Sequence, residues 1–269
     1  MLRNLGRLCA VLSALALFVA FASPDASDAA AARKHPGYGV HVMQFNILTG
    51  AMARGGDHRA ARAANQARKT GRNVISFEEV SADQLRVLRH RLSDFSFYPK
   101  RSLGAYSSAL QLAWNHTRFR AVEKGQIYRP FLGKSRAIPY VQLQNLRNKR
   151  RFWVISIHNS PGGHQVERNI STRREIKLIK RLHARHQGPV MVLGDMNEKV
   201  EFCTKVAAAT DQISMSGTRA HPCPTPRGEH IDWMLGSADG ERFAGYQRIE
   251  NHISDHPMLI ADVRLLGGQ

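Results

Sequence analysis

The stretch Val190-Met191-Val192-Leu193-Gly194-Asp195-Met196-Asn197 runs four apolar residues into a Gly-Asp-Met-Asn turn. Such a run reads as a buried strand. Side chains alternate across a strand, so Asp195 and Asn197, two apart, point to the same side at its end. A plain Asx turn closing the strand is the competing reading.

Working outward, other apolar runs end in the same manner. Val74-Ile75-Ser76-Phe77 closes on Glu78-Glu79. Two neighbouring carboxylates suit a hard cation, which prefers oxygen ligands, although one of them equally suits the positive end of a helix dipole. Val154-Ile155-Ser156-Ile157 closes on His158, and Asn46 interrupts the run Val40–Leu48. A histidine in such a place also serves as ordinary hydrogen-bonded structure. Ile231-Asp232-Trp233 sets a carboxylate inside an apolar strand. Burial there demands a partner, either a histidine or an arginine in a structural salt bridge. Asn251-His252-Ile253-Ser254-Asp255-His256-Pro257 precedes the last apolar run. Adjacent Asp255 and His256 offer a carboxylate and an imidazole to one phosphate, and surface loops carry such pairs too.

The periodicity predicts strands at Val40–Leu48, Asn73–Phe77, Ala109–Trp114, Ile138–Leu146, Phe152–His158, Val190–Gly194, Ile231–Gly236 and Met258–Val263. Helices are expected over His58–Thr70, Ala82–Leu92 (Leu85, Leu88 and Leu92 on one face) and Arg173–His183 (Ile176, Ile179 and Leu182 inward). Many strands with a few interspersed helices point to a mixed α/β sandwich. There is no internal repeat, dividing linker, P-loop or glycine-rich dinucleotide fingerprint.

The order of the motifs is more specific than any one of them. Phe-Asn-Ile, Glu-Glu-Val, Ile-His-Asn-Ser-Pro, Gly-Asp-Met-Asn, Ile-Asp-Trp and Ser-Asp-His follow one another from about Val40 to Val263. This succession resembles the endonuclease/exonuclease/phosphatase superfamily, the deoxyribonuclease I-like fold. The resemblance implies an α/β (α+β) four-layer sandwich of two packed mixed β-sheets flanked by helices. It implies a divalent cation, Mg²⁺ or Mn²⁺, held by Asn46 and Glu79 with Asp255 supporting the metal region. Asp195 and Asn197 would position or deprotonate the attacking water, and His256 would pair with Asp232. His158 would serve the transition state or leaving oxygen from the other side of the phosphate. The general base, Asp195 or His256, stays open. The family's usual Gln-Glu pair reads Glu78-Glu79 here, and no acid in Tyr106–Trp114 offers itself as the partner that His158 has in the secreted branch.

The 269 residues carry 39 Lys+Arg against 21 Asp+Glu, a formal charge of +18. Arg3 and Arg7, the apolar run Leu8–Ala22 and the small residues through Ala32 have the grammar of a secretory signal peptide. The run is short of the ~20 apolar residues of a spanning helix. Residues 1–32 are therefore read as signal peptide plus a short Ala-rich segment, and 37–266 as the catalytic domain. Loss of 1–32 removes Arg3 and Arg7 but also Asp25 and Asp28, so the charge persists. It suits anionic partners and equally an Arg-rich solubility surface. The mature chain keeps Cys203 and Cys223, expected to pair in an oxidising compartment, with two free thiols as the alternative. Secreted deoxyribonuclease I-like proteins often carry a disulfide at that place.

Export, charge and the cysteine pair favour a secreted or extracytoplasmic nuclease acting on DNA, with RNA as a second candidate substrate. It is expected to be a monomer without stable membrane association after signal cleavage. Arg136 and Arg173, with Arg168 and Arg174, are candidate phosphate contacts on a basic surface. A sphingomyelinase-type phospholipase C is the alternative, though its exposed apolar hairpin is not evident: His221–His230 is polar and Phe131-Leu132 is brief. A non-catalytic DNA- or surface-binding protein is a third reading, disfavoured by the complete set of site residues.

Overall fold

The two faces of each buried strand pack against different layers. A computed structural model describes residues 38–101, 109–224 and 230–266. The expected signal and Ala-rich segment, Tyr106–Ser108 and part of the His221–His230 loop lie outside the described residues. Among the described residues twelve strands form two six-stranded mixed sheets. The first has the order β11 (Glu241–Ile249), β12 (Met258–Leu265), β1 (Val40–Asn46), β2 (Val74–Glu78), β4 (Gln111–Asn115), β3 (Phe95–Tyr98). The second has β5 (Phe119–Phe131), β6 (Lys134–Asn145), β7 (Arg151–His158), β8 (Val190–Asp195), β10 (Asp232–Ser237), β9 (Gln212–Ser214). The pairs β1–β2 and β7–β8 are parallel and the others antiparallel.

Between the sheets lie Val42, Trp114, Val141, Phe152, Val154, Met191 and Leu193. The opposite face of the first sheet, with Phe45, Ile75 and Phe77, packs on α1 (Gly56–Lys69) and α2 (Ala82–Arg91) through Ala60, Ala64, Leu85 and Leu88. The outer face of the second sheet, with Trp153, Ile155 and Val192, packs on α3 (Gln165–His183) and α4 (Val200–Ala209) through Leu178, Ile179, Leu182 and Phe202. This is the helix–sheet–sheet–helix sandwich expected from the motif order. No helix among the described residues is long and apolar enough to cross a membrane.

All eight expected strands are present. The helix expected at Arg173–His183 starts earlier, at Gln165, and its Ile179 and Leu182 are buried while Ile176 is only half-buried. Cys203 sits on the buried face of α4, joined by a disulfide to Cys223. The four strands not expected, β3, β5, β9 and β11, are the four sheet edges.

Candidate active site

Five central strands change character along their length on the inter-sheet face. On β1 the inward residues read Val40, Val42, Gln44, Asn46; on β2, Val74, Ser76, Glu78; on β7, Phe152, Val154, Ser156, His158. On β8 they read Met191, Leu193, Asp195, and on the antiparallel β10, Asp232 then Met234. An apolar layer thus gives way to a Gln/Ser layer and then to a layer of acids, amide and imidazole. Register aligns that last layer: Asn46 lies opposite Glu78, and Asp195 lies between His158 and Asp232.

Alternation alone would turn Glu79 away from this layer. A left-handed backbone at Glu79 (φ 59°) redirects it. Its carboxylate accepts hydrogen bonds from Asn46 Nδ2 at 3.1 Å and from the Thr49 amide at 3.1 Å. Asn46 Nδ2 also reaches Asp195 Oδ2 at 3.2 Å. Two histidines converge on the same Asp195 oxygen, His158 Nε2 at 3.5 Å and His256 Nε2 at 3.7 Å. His256 Nδ1 donates to Asp232 Oδ2 at 2.9 Å. Asn197, itself left-handed (φ 48°), donates its backbone N–H to Asp195 Oδ1 at 2.9 Å and its side-chain amide to the Asn159 carbonyl at 2.9 Å.

Of the residues expected at the site, Asn46, Glu79, His158, Asp195, Asn197, Asp232 and His256 are therefore brought together. Asp255 is exposed and takes a hydrogen bond from Ser254 at 3.1 Å; no hydrogen bond or ion pair joins it to Asn46 or Glu79. Arg136 is buried, with its guanidinium 3.4 Å from the Phe131 ring centre, and Phe131 meets His158 edge-on at 5.3 Å. Arg173 stands exposed on α3 without a bond to the cluster. Arg168 is committed to holding a loop, donating to the carbonyls of Ser160 and Gly162 at 2.8 and 2.7 Å. Arg174 donates to the Tyr128 carbonyl at 2.8 Å.

The Gln/Ser layer went unnoticed in the sequence. Gln44 Nε2 donates to both Glu78 Oε2 (2.8 Å) and Asp232 Oδ1 (2.9 Å), tying the two sheets beneath the site. Ser76 bonds Glu78 and, at 2.7 Å, Ser156 of the other sheet. Continuing the alternation of β1 back two residues from Asn46 leads to Gln44, so the signal was there. The structure also separates the two glutamates: Glu78 is buried in the seam, and Glu79 alone faces the cleft.

Burial sets the protonation of the cluster. Desolvation, reinforced by the Asp232 charge, raises the Asp195 pKa, and desolvation raises that of Glu78 well above the carboxyl range. Burial disfavours charge on His256, but the Asp232 bond and the surrounding carboxylates outweigh it and push its pKa up to about 10. His158 is held well below 6.5 by burial and by Arg136 and Arg129. Its Nδ1 has no hydrogen-bond partner among the described residues. The two imidazoles are thus biased in opposite directions, His256 toward its charged form and His158 toward its neutral one. Asp195, Asp232 and His256 bring ligand atoms within 4.8 Å of one another, and Glu79 shares the Asn46 amide with Asp195; no Lys or Arg ion pair engages these carboxylates among the described residues. That donor chemistry fits a hard divalent cation.

A sandwich whose rim gathers carboxylates and two imidazoles in this way defines a hydrolase class. The endonuclease/exonuclease/phosphatase family profile matches residues 43–256, and the chain belongs to that family, whose members hydrolyse phosphate esters. No curated protein sequence matches the chain. Among solved structures, the human Nocturnin catalytic domain with bound sulfate anion is similar at a TM-score of 0.70 and 17% identity, over 84% of this chain and 93% of that one. The mannosyl-6-phosphatase of Bacteroides thetaiotaomicron gives 0.66 and 14%, over 84% and 99%. TDP2 of D. rerio complexed with single strand DNA product gives 0.65 and 13%, over 83% and 98%. At these identities the likeness is one of fold.

Proposed function

We propose that this phosphoesterase is an exported, metal-dependent phosphodiesterase that hydrolyses nucleic acid, DNA first and RNA also. The observation that carries the reading is the convergence of His158 Nε2 and His256 Nε2 on Asp195 Oδ2, with the His256 ring tied to Asp232. In-line attack on a diester builds negative charge on oxygens at just such a place. Asp195, with its pKa raised, is suited to take the proton of the attacking water. His256, held as imidazolium by Asp232, supports it as a donor to the phosphoryl oxygens and speaks against its service as base. Asn197 would contact the phosphate. His158, with no ionised partner on Nδ1, would donate from Nε2 to the leaving oxygen. Glu79, with Asn46, would hold a Mg²⁺ or Mn²⁺ ion, and Asp255 would support that region from outside. Such an ion supplies charge neutralisation at the phosphoryl group when bound.

Export is supported by the signal-like leader and by the Cys203–Cys223 disulfide. The +18 charge suits anionic substrates, nucleic acid and anionic lipid surfaces alike, and the choice against lipid rests on the hairpin tip. The β5–β6 hairpin tip, weighed above as a membrane contact, buries Phe131 beside His158 and leaves Leu132 half exposed. Its amides at Leu132 and Gly133 donate to Glu167 of α3, both at 2.8 Å, which pins the tip to the protein.

The test is a side-by-side assay of the secreted protein on plasmid DNA, RNA and sphingomyelin with Mg²⁺ or Mn²⁺. DNA cleavage that EDTA abolishes is the expected result. Intact DNA alongside cleaved sphingomyelin overturns the nuclease reading.

A further inference from the structure

A second concentration of charge lies outside the catalytic layer, along the edge of the first sheet. A groove of about 820 Å³ runs between α2 and the edge strand β3. Buried Leu85, Phe95 and Phe97 form its floor. Its walls are Arg86, Arg89 and His90 of α2, Lys100 and Arg101 just after β3, and His116, all exposed. The helix residues are spaced three and four apart, so they share one face of α2.

Most of this charge does no structural work. Arg86 pairs with Asp83 at 3.0 Å. Among the described residues, no ion pair or side-chain hydrogen bond engages Arg89, Lys100 or Arg101. Elsewhere some surface arginines are engaged: Arg174 of α3 donates to the Tyr128 carbonyl at 2.8 Å, and Arg185, just beyond α3, is bound bidentately by Glu123 at 2.7 Å. Unpaired like charges crowded on one groove repel one another, and a polyanion relieves that repulsion.

The groove also has a direction. Phe77 of β2 pairs with Gln111, and Tyr98 of β3 pairs with Leu112, so Glu79 and Lys100 stand at the same end of the sheet. The Lys100 amide donates to Gln111 Oε1 at 3.1 Å. Two strand spacings, about 10 Å, separate β2 from β3. From there the groove follows α2 away from the site for ~15 Å, ten residues at ~1.5 Å each.

We propose that this groove is a track for the sugar–phosphate backbone of the nucleic-acid substrate, gripping phosphates a few nucleotides from the scissile one. The proposal rests on the nuclease reading above. A groove of ~15 Å accommodates a few consecutive phosphates of one strand. The groove's phenylalanine rings are buried and not offered for base stacking, and its cations contact phosphate without reading sequence.

The test compares wild type with R89Q/K100Q/R101Q. Binding of a labelled oligonucleotide is followed by anisotropy in EDTA over a range of NaCl. Turnover is measured on DNA and on bis(4-nitrophenyl) phosphate, which is too short to enter the groove. The slope of log K against log[salt] should fall by about 2–3, since each lost phosphate contact removes ~0.7–0.9. KM for DNA should rise about tenfold at the lower salt, with kcat and small-diester hydrolysis unchanged. Wild-type cleavage of DNA with an unchanged slope in the variant sinks the track and leaves the nuclease reading standing. Wild-type hydrolysis of the small diester without binding or cleavage of DNA or RNA sinks both. Loss of heparin binding with DNA binding intact, or self-association of the variant through β3 with DNA binding intact, also overturns the proposal.

Discussion

At the scale of single side chains, the 2.9 Å bond between His256 and Asp232 orients an imidazole and keeps it charged. Asp232→Asn keeps the shape and removes the charge. It is expected to lower kcat by about 10²–10⁴, with a melting temperature close to wild type. Asp195→Ala and His256→Ala should each nearly abolish turnover in a folded protein; full activity in both overturns the assignment. Which side chains gather here was largely legible, because each ends or interrupts an apolar run. What could not be read was conformation. The left-handed turn at Glu79, and not its residue type, makes it the glutamate that faces the cleft. Likewise Arg168 and Arg136 look alike in sequence, yet one guanidinium is used up on loop carbonyls and the other stacks beside His158.

At the scale of elements, legibility followed position in the sheet. The eight interior strands bury both faces or most of both and announce themselves as apolar runs. β5 and β11 carry charges, glycine and half-exposed residues along solvent-facing edges, while β3 and β9 are too short to form a pattern. α4 is ten residues long and buries only Phe202, Cys203 and Val206, too brief a stripe to show as a helical face in the sequence. Among the interior strands β8 has the tightest constraint. A Cβ on Gly194 would lie 1.9 Å from the Ile157 carbonyl oxygen of β7, and its φ is 152°. Gly194→Ala should therefore cost about 3 kcal/mol or more, or prevent folding, as read by urea denaturation. The glycine of Gly-Asp-Met-Asn is thus explained by the approach of two backbones, whereas its Asp and Asn are explained by chemistry.

For the molecule as a whole, buried acids shape the dependence of stability on pH. Glu241 of β11 is fully buried, neither carboxyl oxygen has a well-formed hydrogen bond, and desolvation raises its pKa well above 4.5. The folded state then holds a proton that the unfolded chain releases. The stabilisation is complete below the unfolded value of 4.5 and is lost as pH rises from there toward the folded pKa. Glu241→Gln should flatten this decline. It should gain about 1–3 kcal/mol over wild type near neutrality and match it at acid pH, in denaturant melts at each pH. The order of the sheets along the chain has a different bearing. The second sheet is one continuous segment, β5 to β10, inserted between the two parts of the first. Asn46 and Glu79 come before the insertion, His158, Asp195 and Asp232 within it, and His256 after it, on the approach to β12, which closes beside β1. A nascent chain emerging from the ribosome is consequently a latent phosphoesterase: its active layer cannot be complete until β12 has been made and docked beside β1.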